Sequence, residues 1–277
     1  MPYVTVGQEN SGPIDVYYED HGSGQPVVLI HGFPLNGASW EKQTPVLLDA
    51  GYRVITYDRR GFGKSSQPTV GYDYDTFAAD LKTLIDTLDL RDIVLTGFSM
   101  GTGEVTRYIG RYGTDRVAKA ALFGPIPPFL LQTDDNPEGV PGSVFEGFKD
   151  AIRKDRPAYQ KAFLDDFYNV DKLGGTRISE QAWQTSFITA VGASAIGTLQ
   201  CVDSWLTDFR HDLPKFDVPT LIVQGVEDRI LPIDATGRRL PALIKGSRLV
   251  EVENGPHNIG WTHPEELNKA FLDFLGE

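Results

Sequence analysis

Gly97-Phe98-Ser99-Met100-Gly101 is the stretch of sequence that decides the fold. It reads Gly-x-Ser-x-Gly, directly follows the apolar run 93–96 and precedes a stretch compatible with a helix, residues 102–109. A serine at a strand-to-helix turn is held in strained backbone geometry, and small residues two before and two after it leave room for the bend. The pattern therefore predicts a nucleophilic Ser99 presented at the end of a strand.

A serine nucleophile needs a base, and the chain offers five histidines: His21, His31, His211, His257 and His263. His257 follows the strand-like run 248–252, so it lies on a loop at a strand end, where catalytic groups of open α/β sheets are found. His31 follows the strand-like run 27–30 and is the main rival. We predict that His257 is the base and that the imidazole of His31 ties its own loop together by hydrogen bonds.

The base in turn needs an orienting acid. Asp228 falls in a Gly-containing loop, residues 225–232, after the buried-strand pattern 220–223. The chain order Ser99, Asp228, His257 is the one expected of an α/β-hydrolase fold. Glu227 is a neighbouring competitor and Asp203 a more distant one, and we predict Asp228.

Acyl transfer also requires hydrogen-bond donors for the developing oxyanion. The backbone N–H of Met100 is available from the geometry of the turn itself. We expect the second donor to be the N–H of Phe33, in the loop after the strand at 27–30. Gly32 allows close approach there, whereas Pro34 has no N–H and fixes the following turn.

Size and composition exclude several classes of protein. A chain of 277 residues fits one large α/β domain, and a formal net charge of −12 argues against nucleic acid as a partner. No run approaches the roughly 18 apolar residues of a membrane span, and the N-terminus lacks a signal-like segment, so we expect a cytoplasmic protein without a membrane partner. Cys201, the single cysteine, excludes an intramolecular disulfide and a cysteine-based metal cluster, and is expected in the core.

Strand-like and helix-length segments alternate along the first third of the chain, after an opening antiparallel pair near residues 4–6 and 14–19. This alternation predicts a largely parallel sheet with right-handed crossovers. A proline-rich break follows at residues 124–128, and from Val144 to about Leu206 the segments are helical in period and rich in aromatic residues. We expect one domain over residues 1–277, an eight-stranded, mostly parallel sheet flanked by helices, with a helical cap inserted at 125–210. The pair Arg59-Arg60 is expected in a turn held by ion pairs.

These motifs together resemble the α/β-hydrolase superfamily, and within it the cofactor-free bacterial haloperoxidases, perhydrolases, arylesterases and γ-lactamases. The resemblance covers essentially the whole chain and is densest from Val4 to Gly113. Departures cluster at 124–195 and after His257, where Asn258 is unusually polar. The segments that carry the resemblance are residues 31–35, 53–66, 71–81, 97–101, 208–210 and 255–257.

The resemblance implies a serine hydrolase that forms an acyl-enzyme and shows both perhydrolase and esterase activity, without a metal or other cofactor. Its partners would be a small acyl substrate and hydrogen peroxide, and it would assemble as a homo-oligomer, a trimer or hexamer. The Pro34 carbonyl would position peroxide, although Pro34 could equally be a rigid turn. Substrate-binding side chains are expected at Phe33, Trp205, Ile230 and Ile259.

Two alternatives stay open. The first is a carboxylesterase, lactonase or γ-lactamase whose peroxide activity is incidental. The second, from another class, is a non-catalytic ligand-binding receptor with the same fold, against which the complete set of serine, acid and base argues. Ser99 in place of an aspartate argues against haloalkane dehalogenation.

Overall fold

Eight strands form one sheet in the order β1-β2-β4-β3-β5-β6-β7-β8 in the computed structural model, which describes residues 2–277. The pairs β1–β2 and β2–β4 are antiparallel, and every pair from β4 to β8 is parallel. The expected fold class and the antiparallel opening pair are thereby confirmed. The strands are β1 (Tyr3–Glu9), β2 (Gly12–His21), β3 (Pro26–Ile30), β4 (Arg53–Tyr57), β5 (Ile93–Phe98), β6 (Val117–Phe123), β7 (Thr220–Gly225) and β8 (Arg248–Val252).

The central strands β3, β5 and β7 are buried along their whole length. Their continuous apolar, β-branched sequences suit a parallel sheet that is covered on both faces. Helices provide that cover, and each face of the sheet carries its own apolar core. The flanking helices are α1 (Thr44–Asp49), α2 (Tyr74–Thr87), α3 (Met100–Tyr112), α8 (Ile259–Thr262) and α9 (Pro264–Leu275).

Four further helices lie between β6 and β7: α4 (Gly142–Phe167), α5 (Val170–Leu173), α6 (Glu180–Gly192) and α7 (Ala195–Ser204). The long α4 is broken at Asp155, whose backbone is not helical (φ −160°, ψ 89°). Pro157 explains the break, because it lacks an N–H and crowds the preceding turn. The Asp155 carboxylate accepts the N–H of Ala158 at 3.0 Å and so caps the second half. We name residues 142–204 the helical insertion.

No single helix within residues 2–277 is long and apolar enough to cross a membrane. The helices α6 and α7 have the required length and composition only when taken together, and a bend of 94° separates them.

Two buried ion pairs hold the turn after β4. Arg59 pairs with Glu104 of α3 at 2.8 Å, and Arg60 pairs with Asp80 of α2 at 2.6 Å. All four side chains are almost fully buried. Removing one partner would leave an uncompensated buried charge, which would lower the free energy of unfolding by about 3–5 kcal/mol. The expectation of a turn held by ion pairs is confirmed.

Candidate active site

Ser99 occupies a strained turn between β5 and α3. Its backbone lies at φ 52° and ψ −120°, and its N–H donates to Phe123 O at 2.8 Å. A Cβ on Gly97 would collide with the carbonyl oxygen of Gly101, and one on Gly101 would collide with that of Ile30. Only glycine fits at these two positions, which is the physical reason for the Gly-x-Ser-x-Gly spacing.

The structure brings the predicted serine, base and acid together. His257 follows β8 and Asp228 follows β7, and the ends of parallel strands meet at one edge of the sheet. His257 Nε2 lies 2.8 Å from Ser99 Oγ, and His257 Nδ1 lies 2.8 Å from Asp228 Oδ2. All three side chains are buried. The arrangement can transfer a proton from the hydroxyl to an imidazole whose other nitrogen is held by a carboxylate.

Hydrogen bonds fix the Asp228 carboxylate on both oxygens. Oδ1 accepts the N–H groups of Ile230 and Leu231 at 2.9 and 2.8 Å. Oδ2 accepts from Gln224 Nε2 at 3.2 Å in addition to His257. The sequence analysis missed Gln224, although a glutamine at the end of an otherwise apolar strand pattern was a usable signal.

The rival acids point elsewhere. The side chain of Glu227 pairs with Lys172 at 2.6 Å, and that of Asp203 pairs with Lys149 at 2.8 Å. Both carboxylates are therefore engaged at the surface, and Asp228 is the acid that contacts His257.

His31 lies beside the site and is bonded into its own loop. Its Nδ1 lies 2.9 Å from Gly32 O, and Arg59 N donates to its Nε2 at 3.0 Å. An accepting Nε2 places the ring proton on Nδ1, so His31 is neutral. Burial, followed by the nearby charge of Arg59, holds the pKa of His31 well below its ordinary value. The predicted loop-tying hydrogen bonds are confirmed.

Two backbone N–H groups next to the serine have no acceptor. Met100 is the first residue of α3, where N–H groups lack an intrahelical partner. Phe33 N lies in the loop after β3 and, like Met100 N, donates to no other group within residues 2–277. Both residues are almost fully buried, so these free donors are suited to an oxyanion.

A cavity of about 310 Å³ opens above Ser99. Of the predicted substrate-binding residues, Phe33, Trp205 and Ile230 line it. Ile259 does not, and that prediction is wrong: as the first residue of α8 it is fully buried and packs into the core that includes α9. The other lining residues are mostly apolar, namely Ile126, Leu130, Val140, Val144, Phe145, Phe148, Tyr159, Ala162, Phe163, Asp166, Arg229, Leu231 and Pro232.

Pro34 is buried and is absent from the cavity lining. Cys201 is buried in the core, and burial raises the pKa of its thiol to about 12, which keeps it protonated and unreactive. In the part of the chain that the structure describes, no three His, Cys, Asp or Glu side chains are grouped so that they could hold a metal ion.

Known proteins resemble this chain over nearly its full length. A Synechocystis sp. protein whose name assigns it provisionally to the non-heme chloroperoxidases is 67% identical, covering 99% of this chain and 100% of its own. A bifunctional esterase/perhydrolase from Acinetobacter calcoaceticus is 33% identical over 99% of both chains. The crystal structure of a bromoperoxidase from Bacillus anthracis is 47% identical, covers 99% of both chains and superposes with a TM-score of 0.95.

A family model described as the alpha/beta hydrolase fold matches residues 25–264, from the start of the parallel strands to α9. With that match and with relatives that span the whole chain, this protein belongs to the α/β-hydrolase family.

Proposed function

We propose that this protein is a serine hydrolase that forms an acyl-enzyme and passes the acyl group to water or to hydrogen peroxide. The observation that carries the proposal is the hydrogen-bonded series Ser99, His257, Asp228, with both contacts at 2.8 Å, at the floor of an apolar cavity. Relatives named as chloroperoxidases and as an esterase/perhydrolase support both acceptors.

In the acylation step, His257 Nε2 takes the proton of Ser99 Oγ while the oxygen attacks the substrate carbonyl. The N–H groups of Phe33 and Met100 stabilise the resulting oxyanion. Asp228 keeps the imidazole proton on Nδ1, so that Nε2 is free to act as the base. The tetrahedral intermediate then collapses, and His257 returns the proton to the leaving alkoxide.

In deacylation, the same imidazole removes a proton from the incoming nucleophile. Water releases a carboxylic acid, and hydrogen peroxide releases a peracid. The peracid then transfers an oxygen atom to halide, which yields a carboxylate and hypohalous acid. Peroxide supplies the oxidising equivalents, and every protein group in the scheme is a side chain or backbone amide of this chain.

A second candidate is a carboxylesterase whose peroxide activity is incidental. The apolar lining of the cavity suits neutral esters, and an esterase from Exiguobacterium antarcticum is 33% identical with a TM-score of 0.91 over the full chain. The two candidates differ in whether the Pro34 carbonyl holds peroxide next to the acyl group. The helical insertion serves as the cap in both, since α4 supplies lining residues and Trp205, directly after α7, supplies another.

The test compares hydrolysis of a p-nitrophenyl ester with acetate-dependent bromination in wild type and Ser99→Ala. We expect both activities to fall about a thousandfold or more, because one acyl-enzyme serves both. Ser179→Ala is the matched control, since it removes a serine hydroxyl that caps α6. Bromination that persists undiminished in Ser99→Ala would refute the shared intermediate.

The proposal also includes self-association of the chain into a homo-oligomer. Residues 182–199 carry no charged side chain in a chain with a net charge of −12, and Ile188 and Ile196 are exposed there. An uncharged surface lets like-charged copies approach. Light scattering is expected to show a homo-oligomer, and a species of 30.6 kDa alone would contradict this.

A further inference from the structure

The end of α4 contacts both catalytic loops. We name residues 167–169, Phe167-Tyr168-Asn169, the clamp; all three are at most 1% exposed. The ring of Phe167 packs edge-on against the His257 imidazole with centroids 5.0 Å apart. Its carbonyl oxygen accepts the N–H of Asn258 at 3.0 Å. The helical insertion thus contacts the base in two ways: Phe167 packs against the His257 ring and also binds the backbone N–H of the next residue, Asn258.

Asn258 adds a side-chain link between the same two segments. Its Oδ1 accepts the N–H of Trp261 and caps α8, which directs Nδ2 to the hydroxyl of Tyr168 at 3.2 Å. Since Tyr168 OH accepts this bond, its own proton is available for Ser186 Oγ, 2.7 Å away. The Ser186 hydroxyl in turn donates a hydrogen bond to Ala182 O at 3.1 Å. Every donor in the series has an acceptor, as expected of a buried polar network that specifies one geometry.

The clamp also contacts the acid loop. Asn169 Nδ2 donates to the backbone carbonyl of Glu227 at 3.0 Å, one residue before Asp228. Asn169 lies at φ 48° and ψ 53°, a left-handed conformation that ends α4 and turns its side chain toward this loop. Three consecutive residues of the insertion therefore reach the segments that carry base and acid.

We infer that the clamp, together with Asn258, is a positioning element that holds His257 and Asp228 in register with Ser99. The inference rests on the proposed function and assigns to the helical insertion a role in the chemistry besides lining the cavity. The ends of β7 and β8 determine only where the two loops begin. The clamp determines the positions of the His257 and Asp228 side chains, and small displacements between nucleophile and base lower the catalytic rate strongly.

Tyr168→Phe and Asn258→Ser test the link to the base. Tyr168→Phe deletes only the hydroxyl, and Asn258→Ser retains a cap for α8 while losing the reach to Tyr168. We expect kcat for p-nitrophenyl acetate to fall about fivefold in each, the equivalent of about 1 kcal/mol for one buried hydrogen bond, with KM within about twofold. The double variant should be no worse than Tyr168→Phe alone, because the bond between Asn258 and Tyr168 is already lost in that variant.

Asn169→Gly tests the link to the acid. Glycine accepts the left-handed backbone and deletes the amide, so kcat should again fall while KM holds. Ser179→Ala is the control for stability, since it weakens the insertion at the start of α6 without touching either loop. It should lower Tm and leave kcat unchanged.

The rate of Ser99 labelling by a fluorophosphonate gives a second readout of nucleophile activation, and it should fall in parallel with kcat. Unchanged kcat and labelling in Tyr168→Phe and Asn258→Ser, with only Tm lowered, would overturn the inference, as would a rise in KM alone. Wild-type protein that neither hydrolyses the ester nor reacts with the fluorophosphonate would instead refute the proposed function itself.

Discussion

Asp228→Asn is the substitution for which the structure predicts the outcome atom by atom. The carboxylate accepts four hydrogen bonds, two backbone N–H bonds on Oδ1 and those of Gln224 and His257 on Oδ2. An asparagine placed here keeps the two backbone bonds only if its oxygen takes the Oδ1 position. Its NH₂ group then faces His257 Nδ1, which must accept, so the imidazole proton moves to Nε2.

An imidazole protonated on Nε2 presents a donor to Ser99 and cannot take the serine proton. We expect kcat to fall about ten-thousandfold, the size of effect that a wrong tautomer produces in such a triad. The NH₂ group also meets Gln224 Nε2, donor against donor, so the free energy of unfolding should fall by about 1–3 kcal/mol. The protein should still fold, because the shape of the side chain is unchanged.

The assay is p-nitrophenyl acetate hydrolysis at saturating ester, with urea unfolding measured on the same samples. Glu227→Gln is the matched control: it removes the same charge one residue away, where the side chain pairs with Lys172 and not with His257. A kcat of Asp228→Asn within tenfold of wild type would show that Asp228 does not set the tautomer of His257.

Three further outcomes are expected. Pro34→Leu should lower peracid formation several-fold while ester hydrolysis changes less, because losing one hydrogen bond to peroxide costs about 1 kcal/mol; an equal drop in both rates would leave Pro34 a scaffold residue. Both activities should survive exhaustive dialysis against a chelator, and loss restored by one specific metal would contradict the proposed chemistry. The free energy of unfolding should decrease as the pH falls below about 6.5, by up to about 1.4 kcal/mol per pH unit, since His31 stays neutral in the folded protein while the unfolded chain protonates it. His31→Gln should flatten this dependence in urea unfolding, and an equally steep curve in that variant would exclude His31 as the cause.

The fold could be predicted because its signals are local. Buried β-branched runs that alternate with helix-length segments specify a parallel sheet, and the ends of such strands are where Ser99, Asp228 and His257 were expected. The order of these residues along the chain was also needed to identify the base, since His31 follows an equally good strand. A position at a strand end was therefore not enough to distinguish His257 from His31.

Features that depend on distant partners could not be predicted. Asn258 stands out by its polarity, but its partner Tyr168 lies 90 residues earlier in a helix. Ile259 was misplaced because a four-residue helix turns its side chain toward the core, a direction that tertiary packing decides.

The sheet carries the catalytic loops, while the helical insertion both lines the cavity and contacts those loops. This arrangement limits which parts of the insertion can change as the substrate specificity of the enzyme diverges. Lining residues on the second half of α4, such as Tyr159 and Phe163, can vary with the substrate while the catalytic loops stay as they are. From Phe167 onward the same helix holds those loops, so exchange of the insertion between homologues has a natural seam just before that residue. A chimera joined there inherits a new pocket on an intact catalytic apparatus, whereas one joined after Asn169 replaces part of the apparatus itself.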